Sequence, residues 1–219
     1  MWDGDLVQRL ERVVELVGAD LEAPGVGGDR GDLATVQPAG RGERQAGGGP
    51  SGVLAPAVAA YPRELPDGFA ITPEHLDATI TAQGESARVG RGDLLVVRTG
   101  RLTRARRNIA EGRGWGDYAG GDSPGLSFAT ADWLHGTEIA GVATDTWGFE
   151  VRPNEFDVAF QPLHQVAIPN IGLFIGEMWD LDALAADCAA DGRYDFWLTA
   201  APLPVTGAVG APVNPIAVK

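Results

Sequence analysis

The side chains able to do chemistry in this chain are few. It carries three histidines and one cysteine in 219 residues, so a metal site has to be built from imidazole and carboxylate donors, and no internal disulfide can form. Glu177 stands at the end of Gly172-Leu173-Phe174-Ile175-Gly176-Glu177, a strand-like run in which Leu173, Ile175 and Glu177 share one face and Phe174 and Met178 the other. A carboxylate among apolar neighbours must be paired, protonated or metal-bound, because an isolated buried charge costs several kcal/mol. A salt-bridged strand end meets that demand as well as a catalytic role does. His164 precedes Glu177 by thirteen positions in Gln161-Pro162-Leu163-His164, where a proline fixes the approach of the chain. A histidine so placed is either a hydrogen-bonded loop or core residue or a ligand. Asp145 ends the apolar run Val142-Ala143-Thr144-Asp145, a position that suits a site residue of an α/β sheet and equally suits a cap.

Other polar features carry less. His135 in His135-Gly136-Thr137-Glu138 falls at a helix C-terminus, where a cationic side chain meets the helix dipole favourably. His75 has no second histidine one turn on, so the paired-histidine zinc helix is absent. The glycine-rich stretches at 25–31 and 47–52 lack the Gly-Lys-Ser/Thr of a phosphate loop. Arg104-Ala105-Arg106-Arg107 reads as a solvated face or an internal ion-pair partner.

These candidates need elements to hold them. Leu6, Leu10, Val13, Val14 and Val17 recur at helical spacing between Asp5 and Gly18, which predicts an N-terminal helix over 1–17. Residues 18–52 hold eleven glycines in thirty-five positions, against a usual share of roughly 7%, as in a linker or a disordered segment. Thr72-Pro73-Glu74 opens a helix that runs to Gln83 before Gly84. Leu94 to Val97 reads as a strand buried on both faces, Ser127 as the cap of a helix to His135, and Ile139 to Asp145 as a strand of small apolar residues. Gly172 to Met178 is a further strand, Asp180 to Asp191 a helix stopped by Gly192, and Tyr194 to Ala201 another strand. Strands alternating with helices predict an α/β domain with a mixed sheet over 53–219.

Charge and hydropathy narrow the partners. Thirty acidic residues against seventeen basic ones give a net charge of −13, which repels phosphate backbones and anionic lipid, so neither nucleic acid nor a membrane surface is expected. The excess is concentrated in residues 115–219, while 61–114 is slightly basic and can face its own acidic half or an acidic partner. No apolar run approaches the roughly 20 residues of a spanning helix. Asp3 and Asp5 stand where a secretory signal carries positive charge, and with the single cysteine Cys188 they point to the cytoplasm.

Several motifs occur in order: Ala70-Ile71-Thr72-Pro73-Glu74-His75-Leu76, Gly92-Asp93-Leu94-Leu95-Val96-Val97-Arg98-Thr99-Gly100, Ser123-Pro124-Gly125-Leu126, Gly141-Val142-Ala143-Thr144-Asp145-Thr146, Pro162-Leu163-His164, the Gly172 to Glu177 run and Ala201-Pro202-Leu203-Pro204. Together they resemble the cyclase-like metal-dependent hydrolases that include bacterial kynurenine formamidases and isatin hydrolases, from about Gly52 to Lys219. The resemblance implies a swivelling β/β/α fold, a homodimer or tetramer, and a zinc or manganese ion that activates water against an amide or lactam carbonyl. Onto the family pattern His164 and Glu177 map as catalytic and metal-binding residues, Glu177 holding the metal or its water. The family's main metal motif, His-x-Gly-Thr-His/Gln-x-Asp, belongs in the N-terminal third, yet no histidine precedes His75. Trp2-Asp3-Gly4 is similar to the tail of that motif and makes Asp3 a further candidate ligand.

Two function classes follow. One is a metal-dependent hydrolase of an arylformamide such as N-formylkynurenine, placing the protein in tryptophan catabolism, or of a cyclic amide, with Asp145, Trp147, Tyr118 and Trp115 around the substrate. The other is a truncated or non-catalytic member that keeps the fold and the aromatic lining as a binding or scaffold subunit. With so few histidines the chain as written is expected to hold zinc or manganese weakly and to turn over N-formylkynurenine slowly or not at all.

Overall fold

The computed structural model describes residues 64–84 and 88–219 with their side chains, and the backbone of two strands at 12–16 and 52–53. Nine strands and five helices follow in chain order among these residues. The strands are β1 (Arg12–Leu16), β2 (Gly52–Val53), β3 (Ala70–Ile71), β4 (Asp93–Val97), β5 (Gly125–Leu126), β6 (Gly141–Thr144), β7 (Phe174–Gly176), β8 (Asp195–Thr199) and β9 (Ile216–Val218). The helices are α1 (Pro73–Gln83), α2 (Arg101–Ala110), α3 (Ala131–Gly136), α4 (Pro162–Val166) and α5 (Asp182–Asp191). Seven strands form one sheet in the order β7-β6-β4-β1-β2-β8-β9. The pairs from β7 to β2 are parallel and β8 and β9 are added antiparallel, so the sheet is mixed as expected. A two-stranded parallel sheet pairs Ala70 with Gly125 and Ile71 with Leu126.

The predicted N-terminal helix is corrected. Arg12–Leu16 is a strand whose residues pair one for one with Asp93–Val97 of β4. Val13, Val14 and Leu16 satisfy a strand as well as a helix, and a short apolar run cannot separate the two periods. The open ladder of β4 decides between them, because an unpaired parallel strand leaves its amides without partners. Gly52, the last residue of the 18–52 segment read as linker or disorder, opens strand β2, while 18–51 and the other residues of the 1–17 segment lie outside the described residues.

Elsewhere local chemistry and fold agree. Thr72 precedes α1 in extended backbone, Pro73 takes the first helical position, where no amide is needed, and Gly84 (φ 74°) closes it. Ser127 Oγ accepts from the Ala129 amide, starting a 3₁₀ turn over Phe128–Thr130 that runs into α3. Gly192 (φ 68°) ends α5. Strand β4 is buried along almost its whole length, with Leu95, Val96 and Val97 at 1% exposure or less. The core runs through Leu76, Leu95, Leu126, Leu134, Phe149 and Leu163.

The basic run proves to be helix α2. Leu102 and Ala105 face inward, and its arginines reach acidic residues. Arg101 Nη1 lies 2.6 Å from Asp67, Arg106 makes a two-pronged pair with Asp180, and Arg107 meets Glu64 at 2.7 Å. Arg98, one turn earlier, binds Asp182. Asp180 and Asp182 belong to the acidic half of the chain, which the basic middle segment therefore faces internally. No described helix is long and apolar enough to cross a membrane.

Candidate functional site

The site candidates sit where β6 and β7 deliver their C-terminal ends, the position at which parallel sheets expose side chains beyond the strands. After β6 the chain makes a long excursion through 145–161, enters α4, passes through a π-helical turn at Ala167–Ile171 and returns as β7. Glu177 follows β7 directly. The strand is shorter than the run expected from sequence, and Glu177 lies just outside it. At Met178 the backbone turns into the left-handed region (φ 62°) and donates to Thr146 O at 2.9 Å, tying the Glu177 segment to the end of β6.

His164 and Glu177 meet. Nε2 of His164 is 2.9 Å from Glu177 Oε1, which also accepts from the Phe149 amide at 3.1 Å. On the far side of the ring, Nδ1 lies 2.5 Å from Oε1 of Glu150. The imidazole is thus held between two carboxylates and packs edge-on against Phe149, with ring centroids 4.6 Å apart. Burial disfavours a charged His164, yet its bonds to Glu150 and Glu177 outweigh that and its pKa is pushed up to about 9.

Glu150 was not singled out by sequence, although the signal was there. Phe149-Glu150-Val151 sets a carboxylate between apolar neighbours in the chain, a weaker signal than that of Glu177, whose apolar partners Leu173 and Ile175 share its own face. Glu150 is 3% exposed. Its oxygens accept from the Leu163 and His164 amides, each at 3.1 Å, as well as from the His164 ring. Gln161, the N-cap of α4, sits in the left-handed region (φ 49°) and makes no capping bond, so Glu150 supplies the acceptor from across the loop.

Asp145 requires a correction. It was expected at the substrate, but it is 2% exposed and turned inward. Its Oδ1 accepts from the Thr99 amide and hydroxyl, and its Oδ2 from the Gly100 amide, all at 2.7 Å. Both oxygens are committed to the turn that starts α2, so the capping alternative describes it. Burial pushes its carboxyl above the usual range despite these bonds.

The three aromatic candidates form a chain. Tyr118 lies between Trp115 (centroids 5.6 Å apart) and Trp147 (6.4 Å, edge-on). Tyr118 is buried and donates its hydroxyl proton to the Asp145 carbonyl at 2.8 Å, so its polar end is not open to a ligand. Burial first, then the charges of Asp145 and Glu177, raise its pKa, and it stays protonated. Trp115 and Trp147 are half exposed. Trp147 leads into Gly148, where an added Cβ would stand 3.4 Å from Gln161 Nε2 and 3.9 Å from Glu177 Oε1. Asp3 lies outside the described residues.

A divalent ion can be tested against this donor set. Two donors 2.9 Å apart match the separation of adjacent ligands at bond lengths of roughly 2.0–2.2 Å, and a histidine whose other nitrogen is bound by a carboxylate is the usual form of a metal-bound imidazole. His164 and Glu177 therefore fit as two ligands. Among the described residues no set of three independent donors converges on one point.

The comparisons agree with this architecture. The family model described as a putative cyclase matches residues 49–151. A solved structure described as a novel cyclase is 39% identical, with a TM-score of 0.62 over 71% of this chain and 49% of that one. An isatin hydrolase bound to the product analogue thioisatinate is 21% identical, with a TM-score of 0.51 over 69% of this chain and 53% of that one. Isatin hydrolase A from Labrenzia aggregata, bound to benzyl benzoate, is 23% identical, with a TM-score of 0.53 over 69% and 54%. At these identities the two isatin hydrolases bear on the fold alone. No curated protein matches the chain. The sequence resemblance is therefore confirmed: residues 49–151 carry the cyclase-family pattern and the described fold is cyclase-like, spanning about half the length of these solved relatives.

Proposed function

We propose that the protein is a metal-dependent hydrolase that opens an amide or lactam carbonyl, with His164 and Glu177 as two of the donors for a divalent cation, zinc or manganese. The observation that carries the proposal is the 2.9 Å approach of His164 Nε2 to Glu177 Oε1 beyond the ends of two parallel strands. When bound, such an ion supplies a Lewis acid for the carbonyl and acidifies water. The chain's own residues hold and orient. Glu150 keeps the His164 ring fixed from behind, the Phe149 amide fixes Glu177, and the half-exposed Trp147 and Trp115 offer apolar faces to an aryl group. The preferred substrate is an arylformamide of the N-formylkynurenine kind, processed in the cytoplasm by a homodimer or tetramer. A third and fourth ligand come from outside the described residues, Asp3 being the candidate named by sequence.

The test is calorimetric titration with zinc and with manganese, followed by assays on N-formylkynurenine and on isatin. Saturable metal binding that is lost in His164→Ala and Glu177→Gln, with metal-dependent hydrolysis of either substrate, is the expected result. Metal binding that survives both substitutions overturns the ligand assignment. The second reading, a non-catalytic binding subunit, is favoured by the absence of a three-donor set among the described residues. It prevails if the aryl amide binds without turnover in the presence of saturating metal.

A further inference from the structure

His164 stands at the third position of α4, a helix of five residues whose own N-cap makes no side-chain bond. A short helix of this kind does not hold a side chain in place by itself. The ring is nevertheless fixed: Glu177 meets Nε2, and every bond on the other side comes from one residue. Glu150 Oε2 takes the Leu163 amide, and its Oε1 takes both the amide and the ring Nδ1 of the same histidine. The backbone of Glu150 is itself anchored on both sides: Leu126 donates to Phe149 O at 2.9 Å and Val151 donates to Leu126 O at 3.0 Å. Strand β5 approaches so closely that a Cβ on Gly125 would stand 2.4 Å from the Glu150 carbonyl carbon.

We infer that Glu150 is the positioning residue of the site: it holds a proton on Nδ1 of His164 and thereby turns Nε2 toward Glu177 as the ring nitrogen that can exchange its proton for a cation. An ionised carboxylate only accepts, so the nitrogen facing it at 2.5 Å must carry a hydrogen. The same rule puts a hydrogen on Nε2 where it faces Glu177 in the metal-free ring, so a cation enters there by displacing that proton while Glu150 keeps the one on Nδ1. A ring rotated out of this clamp would lose the acceptor that keeps the proton on Nδ1 and would carry Nε2 away from Glu177. His75 provides the internal contrast, because its Nδ1 accepts from the Thr72 amide at 3.0 Å, which places the proton of the neutral ring on Nε2.

The inference rests on the proposed metal-binding role only for its consequence, and the two can fail separately. Nitrogen-detected NMR of the histidine rings in the whole protein reads them directly, with signals assigned through His75→Gln and His135→Gln. The expected result is that Nδ1 of His164 is protonated throughout the range in which the protein is folded, and that zinc removes a proton from Nε2 alone. An unprotonated Nδ1 overturns the inference. A protonated Nδ1 with no response to zinc upholds it and refutes the metal role. In Glu150→Gln the side chain keeps its size but loses an acceptor, and zinc affinity should fall about 10–100-fold with the ring signals displaced. Glu150→Asp, which restores the charge with shorter reach, should recover part of that loss. Unchanged zinc affinity and ring signals in folded Glu150→Gln refute the inference, and should that variant fail to fold, the wild-type ring measurement still decides.

Discussion

Replacing Asp145 separates a structural carboxylate from a binding one. The wild-type side chain receives the Thr99 and Gly100 amides and the Thr99 hydroxyl, and it is 2% exposed. In Asp145→Ala the hydroxyl can turn to another acceptor, but the two amides cannot. Each buried donor left without a partner costs about 1–3 kcal/mol, so the variant should lose about 2–6 kcal/mol. In Asp145→Asn one oxygen remains for Thr99, while the amide nitrogen must face the Gly100 N–H, and the loss should be about 1–3 kcal/mol. Urea unfolding followed by tryptophan fluorescence gives both values. At a slope of about 2 kcal/mol per molar urea, a loss near 4 kcal/mol moves the midpoint by about 2 M without changing the slope. The order of stability should be wild type, Asn, Ala, and zinc affinity of the folded Asn variant should be unaltered. An Asn variant as stable as wild type would refute the assignment of both oxygens to the α2 turn, and loss of substrate binding with full stability would return Asp145 to the pocket.

Gly125→Ala should destabilise by about 1–3 kcal/mol, because the new methyl meets the Glu150 backbone at 2.4 Å, whereas Gly148→Ala, whose nearest contact is a side-chain amide at 3.4 Å, should be much milder; thermal melts of the pair check the ranking. The bond to Arg106 holds the Asp180 carboxyl below its usual range. Its contribution is therefore complete above the unfolded carboxylate pKa and is lost as pH falls through the lower folded value. Arg106→Gln should flatten that acid limb in a pH series of melts, with under about 1 kcal/mol lost at pH 7 because the pair is partly solvated. Cys188 is fully buried beneath Lys219, whose Nζ lies 3.2 Å from Sγ. Maleimide labelling should be negligible in the native protein and rapid in urea, and fast native labelling would contradict that burial.

The parts of the fold legible in sequence are those whose signals are local. Thr72-Pro73, Gly84, Ser127 and Gly192 mark helix ends because a cap or a left-handed glycine acts within its own turn. Strand β1 is not legible in the sequence, because Val13, Val14 and Leu16 are compatible with two periods and the deciding partner, β4, lies far along the chain in the register Arg12 to Asp93. Helix α2 was hidden by its arginines, whose partners Asp67, Asp180 and Glu64 become neighbours only in the fold. At the site, the apolar setting of Glu177 and the family pattern brought out two residues that do meet. Glu150 has apolar residues only as its immediate chain neighbours, and only the return of α4 shows that it serves His164. Asp145 resembled a site residue because strand ends serve both chemistry and capping, and sequence does not show which way a side chain turns.

The bond from Glu150 to His164 also bears on how this protein can change. It joins Glu150, early in the excursion, to His164, just past its end, so the stretch between them does not by itself set the spacing of the site. Phe156, Val158 and Phe160 of that stretch face outward, while Arg152 and Glu155 fasten it at Ser123, Ser127 and Phe128. Residues 157–159 lie between these fastenings and Phe160, whose carbonyl accepts from Gln165 Nε2 at 2.6 Å, so a change of length there falls outside the bonds that place the two donors. The methyl-free edge at Gly125 offers no such latitude, since any side chain there presses on Glu150 itself.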